Sequence, residues 1–259
     1  MSAPEARERS FVQSLARGLS VIRALGESQR GQTLTEVARA TGMTRAAARR
    51  FLLTLVDLGY ARADGRVFSL TPRALELGYA YLSSLGLPEI AQPHLQTLVE
   101  EVHESSSASV LDGGSIVYVA RAPTSQRIMN VAINVGTRLP AHLTSMGRVL
   151  LAALEPDRRE ELLCSIELSA VTPKTILEPA ALREELARIR EQGWAIVDQE
   201  LEEGLRSVGA PVRTGAGSVV AAINLSTHAS RSTIEYMRDE LLPALLRTAQ
   251  AIGRELPVG

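Results

Sequence analysis

Residues 41–61, "TGMTRAAARRFLLTLVDLGYA", decide how the N-terminal part of the chain folds. Three arginines, Arg45, Arg49 and Arg50, fall within two helical turns, with only alanines between them, and a long apolar run follows. Thr44 stands where a helix needs its N-cap, and Ala48, Leu52, Leu55 and Val56 recur at the three-to-four spacing of one inward face. Arg45 and Arg49, four residues apart, share an outward direction, with Ala46 leaving room beside the backbone and Arg50 to one side. Small residues interleaved with guanidinium groups suit a helix that enters the major groove of DNA, where Arg makes bidentate contacts to guanine.

The flanking sequence supports this. "TLTEVARATG" (33–42) begins with a capping box, Thr33 followed three residues later by Glu36, and Gly42 ends a short helix. Two short helices joined by a tight Gly-containing turn form a helix-turn-helix. Ahead of them, "VQSLARGLSVIRALGES" (12–28) has the spacing of an amphipathic helix with Ser14 as its cap and Gly26 as its stop. Behind them, "YARADGRVFSLTP" (60–72) alternates around Asp64-Gly65, which reads as a hairpin turn. A basic hairpin after a recognition helix is a wing, and Arg62 and Arg66 lie within reach of phosphates or a minor groove. The candidate DNA contacts are therefore Arg45, Ala46, Arg49 and Arg50 on the helix, Arg17, Thr33 and Thr44 at helix starts, and Arg62 and Arg66 on the wing.

Charge separates the chain into two modules. Residues 1–73 contain twelve Arg, no Lys and six acids, a net +6, and the remainder is −7, which together give the overall −1. A basic small module is attracted to polyanions, and the acidic larger one has another task. No apolar run is long enough to span a bilayer, and "MSAPEARERSFVQS" has no apolar core of the kind a signal peptide needs, so a cytoplasmic protein with no membrane association is expected. A single cysteine, Cys164, excludes an internal disulfide and reads as a buried structural thiol.

"SLARGLSVIRAL" (14–25), "LTEVARATGMTRAAARRFLLTLVDLGY" (34–60) and "FSLTPRALELG" (68–78) resemble the winged helix of IclR-family bacterial transcription regulators. "LPAHLTSMGRVLLAAL" (139–154) and "GWAIVDQELEEGLRSVGAPV" (193–212) resemble the signature stretches of that family's effector domain. "TRAAARRFLLTLVDLGY" (44–60), "LELGYAYLSSL" (75–85) and "EVHESSSASVLDG" (101–113) are similar to the PcaR/PobR/PcaU branch, whose members control catabolism of protocatechuate, 4-hydroxybenzoate and related β-ketoadipate-pathway intermediates. The fold expected is α+β: a winged helix-turn-helix over 12–72, a linker helix over 73–87, and over 88–259 an effector-binding domain around an antiparallel sheet. The resemblance implies that this last domain is GAF-like. Expected partners are double-stranded operator DNA, a small aromatic or dicarboxylic acid, and further copies of the chain as a homodimer and a dimer of dimers.

The sequence of the second module predicts a helix over 88–105 with a kink or restart at Pro93, a hairpin turning at Asp112-Gly113-Gly114, and extended pieces over 128–143. Three helices then run through "TSMGRVLLAAL", "PDRREELLCSI" and "EPAALREELARIREQG", strands through "WAIVD" and "SVVAAINLS", and a closing helix from about 232. Enzymatic chemistry is not expected, and no cofactor or metal is implied. His94, His103, His142 and His228 are scattered without ligand spacing, and the acidic run Asp198, Glu200, Glu202 and Glu203 reads as a solvated or Arg-paired loop. A binding pocket fits better. Thr144 caps the helix starting at Ser145-Met146, whose free amides suit a carboxylate, with Arg148 adding positive charge. Carried onto this chain, the family's ligand site implies Ala141, His142, Thr144, Ser145 and Met146, then Asp198, Ser207, Asn224 and Ser226. Two alternatives stay open: a GAF-type sensor or enzyme domain in the second module, and a winged helix that docks protein rather than DNA.

Overall fold

The computed structural model describes residues 11–28, 30–78, 86–124 and 133–256. The chain divides into two compact units, Met1–Ser84 and Leu85–Gly259.

In the first unit, α1 (Gln13–Gly26), α2 (Leu34–Ala40) and α3 (Arg45–Asp57) enclose a small core of Val21, Leu25, Val37, Leu52, Leu55 and Ala61. Val12, which makes no side-chain cap, is the N-cap of α1 in place of Ser14, and the helix runs through Gly26. The capping box forms as the sequence predicts: the Thr33 hydroxyl oxygen accepts from the Glu36 amide, and Glu36 accepts from the Thr33 amide at 2.7 Å. Gly42, at φ +64, supplies the left-handed residue of the turn, and Thr44 caps α3 by accepting from the Ala47 amide at 3.2 Å. Strands β2 (Ala61–Asp64) and β3 (Val67–Leu70) form the wing. Asp64 pairs with Val67, so the two-residue turn is Gly65-Arg66, one position later than expected. A two-residue strand, β1 (Gln32–Thr33), completes a three-stranded sheet by pairing with β3, an element too short for alternation to reveal. Past the wing, Pro72 opens a single 3-10 turn, and residues 75–78 are helical. Of the rest of the expected linker helix, residues 79–85 lie outside the described residues, whereas Gly86, at φ +59, caps the first helix of the second unit and Leu87 opens it.

The second unit is built on a six-stranded antiparallel sheet ordered β6-β5-β4-β9-β8-β7. Its strands are β4 (Ser105–Asp112), β5 (Ser115–Ala122), β6 (Arg138–Pro140), β7 (Ala195–Asp198), β8 (Leu205–Arg213) and β9 (Val219–His228). Its helices are α4 (Leu87–Val102), α5 (Ser145–Ala153), α6 (Pro156–Ser165), α7 (Pro179–Gln192) and α8 (Leu242–Glu255). Pro93 does not break α4, which continues through it. The β4–β5 turn is Gly113-Gly114, with Asp112 paired to Ser115. Of the expected extended stretch over 128–143, residues 128–132 lie outside the described residues, and the strand is confined to β6 before a 3-10 turn at Ala141–Leu143. The C-terminal helix is preceded by a short helical turn and a π-turn at Met237–Leu241, beside Pro243, which has no amide proton to donate. Cys164 is exposed, not buried: it falls on the outer side of α6, where only Leu162 is buried.

Strand β8 is a long strand that the periodicity hides, because Gly209 and Pro211 interrupt it. Both have positional reasons. Pro211 pairs with Ala222 on β9, but β7 ends opposite Arg206–Gly209, so the other side of Pro211 has no ladder to satisfy. Gly209 faces α5, and the buried Val208, Ala210 and Val212 alternate to the opposite side, where α8 packs. The sheet is therefore covered on both faces, by α5, on which α7 packs, and by α4 with α8.

Candidate functional site

The basic surface of the first unit is centred on α3. Arg45, Ala46, Arg49 and Arg50 are all exposed. At about 100° per residue, Ala46 and Arg50 lie opposite the buried stripe of Ala48, Leu52 and Leu55, while Arg45 and Arg49 flank it. The middle of the protruding face is thus Ala46 and Arg50, not the Arg45–Arg49 pair. None of the three guanidinium groups forms a hydrogen bond or ion pair among the described residues, and the same holds for those of the exposed Arg17 and Arg66. Arg62 is steadied across the wing by donating to the Ser69 hydroxyl at 3.2 Å. Thr44 accepts from the helix start, which leaves its own hydroxyl proton available to a phosphate. Thr33 is more committed, since its hydroxyl also donates to Glu36 at 2.8 Å. Arg17, Thr44 and Ala47 share the wall of one groove between α1 and the turn ahead of α3, with Gln13 and Ser20 beside them.

In the second unit, a small cavity of about 20 Å³ lies between the start of α5, the loop after β7, and strands β8 and β9. Thr144, Ser207, Asn224 and Ser226, four of the nine expected ligand residues, line it. Tyr118, Leu143, Val197, Leu201 and Leu205 complete the wall. None of these five is among the expected ligand residues; they meet because the sheet and the β7–β8 hairpin bring distant segments together. The polar set is ordered. The Asn224 side chain accepts from the Ser107 amide at 3.1 Å and donates to the Ser226 hydroxyl at 2.9 Å. Thr144 accepts from the Gly147 amide at 3.0 Å, which leaves the Ser145 and Met146 amides as the free donors of the helix start. Burial pushes the Tyr118 phenol up to about 12, so it stays a neutral donor.

Ala141, His142, Ser145 and Met146 are fully buried beside that helix start without lining the cavity. Neither ring nitrogen of His142 nor the Ser145 hydroxyl has a hydrogen-bond partner among the described residues. Burial, followed by the charge of Arg148, lowers the His142 pKa and keeps the ring neutral. Asp198 belongs elsewhere: it borders a second, open cavity of about 340 Å³ together with Trp194, Glu185 and Arg238. Its carboxylate accepts from Arg206, Lys174 and Gln199, and although burial opposes ionisation these bonds hold its pKa down to about 2. Arg148 is not a free cation facing a ligand. It is 1% exposed, its Nε donates to the His142 carbonyl at 2.8 Å, and its two terminal nitrogens donate to both carboxylate oxygens of Glu200. Of the acidic run, Glu200 is therefore a buried, Arg-paired residue.

An exposed arginine-bearing helix behind a helix-turn, a wing, and a separate α+β unit with a polar-lined cavity define a DNA-binding regulator with a sensory domain. Residues 14–65 match the IclR helix-turn-helix domain and residues 79–254 the bacterial transcriptional regulator IclR C-terminal domain, so the chain belongs to the IclR family of transcription regulators. It is 44% identical to the Pca regulon regulatory protein of Pseudomonas putida, over 95% of this chain and 84% of that one. A putative transcriptional regulator from Rhodococcus sp. RHA1 shares 54% identity with a TM-score of 0.83, covering 95% of this chain and 98% of that one. An IclR homolog from Microbacterium hydrocarbonoxydans, solved in complex with 4-hydroxybenzoate, superposes with a TM-score of 0.81 at 27% identity, covering 93% and 97%. These relatives are named as regulators, not enzymes.

Proposed function

We propose that this regulator controls genes of aromatic-acid catabolism and that its effector is a hydroxybenzoate-class acid bound in the cavity at the start of α5. The observation that carries the reading is the composition of that cavity. Hydroxyl and amide groups of Tyr118, Thr144, Ser207, Asn224 and Ser226 line it, and Leu143, Leu201 and Leu205 supply apolar walls. This combination suits an acid with an apolar ring. The Pseudomonas relative's name and the 4-hydroxybenzoate complex of the Microbacterium homolog support the same class. Residues 12–72 bind operator DNA, residues 73–87 join subunits, and residues 88–259 sense the acid. Homodimers, paired into dimers of dimers, read two half-sites about 34 Å apart in the cytoplasm. The exposed apolar side chains Phe11 and Val12 just before α1, and Leu15 and Leu19 on it, support an association between copies.

Thermal-shift measurements with protocatechuate, 4-hydroxybenzoate, β-ketoadipate and cis,cis-muconate test the assignment. An aromatic effector raises Tm by binding the native state preferentially. A flat response to all four acids contradicts the proposed class.

A further inference from the structure

We infer that Arg148 and Glu200 are positioning residues for the effector: their buried pair clasps the β7–β8 loop to α5 and thereby sets the size of the cavity. This rests on the effector reading above. Two cavities of the second unit adjoin the pair, since Arg148 and Glu200 line the open one and the next residue, Leu201, lines the smaller one. Thr144, one helical turn before Arg148, forms the facing wall. The clasp thus joins one wall of the small cavity to the other.

The loop it holds is also closed on itself. Gln199 adopts φ +62, its amide donates to the Leu205 carbonyl at 2.7 Å, and its side chain accepts from the Gly204 amide at 3.0 Å. Residues 199–205 therefore form a small closed hairpin end, anchored by Thr172 donating to the Gln199 carbonyl and the Ala229 amide donating to the Gly204 carbonyl, both at 2.7 Å. Glu200 ties that piece to α5 through Arg148, and its carbonyl accepts from Thr175 at 2.9 Å, tying it to the 172–176 turn. The Nε bond from Arg148 to His142 fixes the turn that leads into α5. Every guanidinium nitrogen of Arg148 is engaged, so it orients the wall and does not receive the ligand's carboxylate. A cavity of about 20 Å³ holds a water-sized group, whereas a benzene ring is accommodated by one of about 150 Å³. The difference has to come from wall movement, and the Arg148–Glu200 pair links the loop that carries the Leu201 wall directly to α5.

The test uses the full-length protein, with Glu200→Gln and with the double variant Arg148→Met/Glu200→Met, which leaves no buried charge unpaired. Calorimetric titration gives the ratio of Kd values for 4-hydroxybenzoate and the larger 6-hydroxy-2-naphthoate. The clasp predicts that discrimination against the larger acid falls at least tenfold in both variants. An unchanged ratio, whatever happens to Tm, overturns it. On the wild type, 4-hydroxybenzoate is expected to alter hydrogen exchange at the amides of Leu201 to Gly204, and no change there overturns the clasp even where a variant fails to fold. A wild type that binds neither acid removes the effector reading, and the clasp with it.

Discussion

Gly209 on β8 lies directly against Ser145 at the start of α5: a β-carbon at position 209 would sit 2.7 Å from the Ser145 carbonyl carbon and 3.0 Å from the Met146 amide nitrogen. Strand and helix start approach this closely only because the strand has no side chain there. Gly147 allows a matching approach on the other side, where a β-carbon would lie 2.1 Å from the Ala141 carbonyl oxygen. The helix start with its free amides is thus wedged between β8 and the preceding turn.

The Gly209→Ala variant is expected to lose about 1–3 kcal/mol of stability, the cost of overpacking a rigid contact. Because the clash is with backbone, α5 shifts away from the sheet and effector binding weakens as well. Urea unfolding midpoints check the first effect and calorimetry the second. A variant that matches the wild type in both would show that the approach has no structural consequence.

How much of this was legible in advance depends on where each signal resides. The winged helix is written locally: Thr33, Glu36, Gly42 and Thr44 are caps and turn residues whose role is set by neighbours in sequence. The direction of the recognition face was less legible, because four-residue spacing aligns Arg45 with Arg49 without saying that Arg50 lies farther from the core. Strand β8 was hidden since Gly209 and Pro211 answer to α5 and to the end of β7, which are tertiary facts. Thr144, Ser207, Asn224 and Ser226 were found through the family resemblance, whereas Tyr118, Leu201 and Leu205 converge on the cavity only in the folded sheet. The pairing of Arg148 with Glu200, 52 residues later, had no local sign and reverses the expectation that Arg148 adds charge for a ligand.

On α3, Arg50→Ala and Arg49→Ala are each expected to cost about 1–3 kcal/mol of operator affinity and to relax base preference at one position. Arg62→Ala and Arg66→Ala are expected to weaken binding similarly on all sequences and to lower the slope of log K against log salt by about 1. Anisotropy titrations on cognate and scrambled duplexes at several salt concentrations separate the two patterns. Sequence-selective loss from the wing variants would reverse the assignment.

The Asp198 carboxylate contributes stability that depends on pH. Its folded-state pKa is about 2 against an ordinary value of 3.8, so its contribution is complete above pH 4 and is lost as pH falls from about 4 towards 2. The Asp198→Asn variant should be less stable than the wild type at pH 6, and the gap should narrow through this window. Parallel urea curves at pH 6, 4 and 3 check it, and a constant gap would mean that the Arg206 and Lys174 contacts do not favour the ionised form.

The central claim is that acid binding in the second unit and DNA binding by the first are coupled. Its most direct measurement is the affinity of the full-length protein for its operator, by fluorescence anisotropy at fixed salt, with and without saturating 4-hydroxybenzoate. A coupling free energy of about 1–3 kcal/mol predicts a change of roughly 5- to 150-fold in Kd. The same Kd in both conditions, with 4-hydroxybenzoate shown to be bound, would contradict the account.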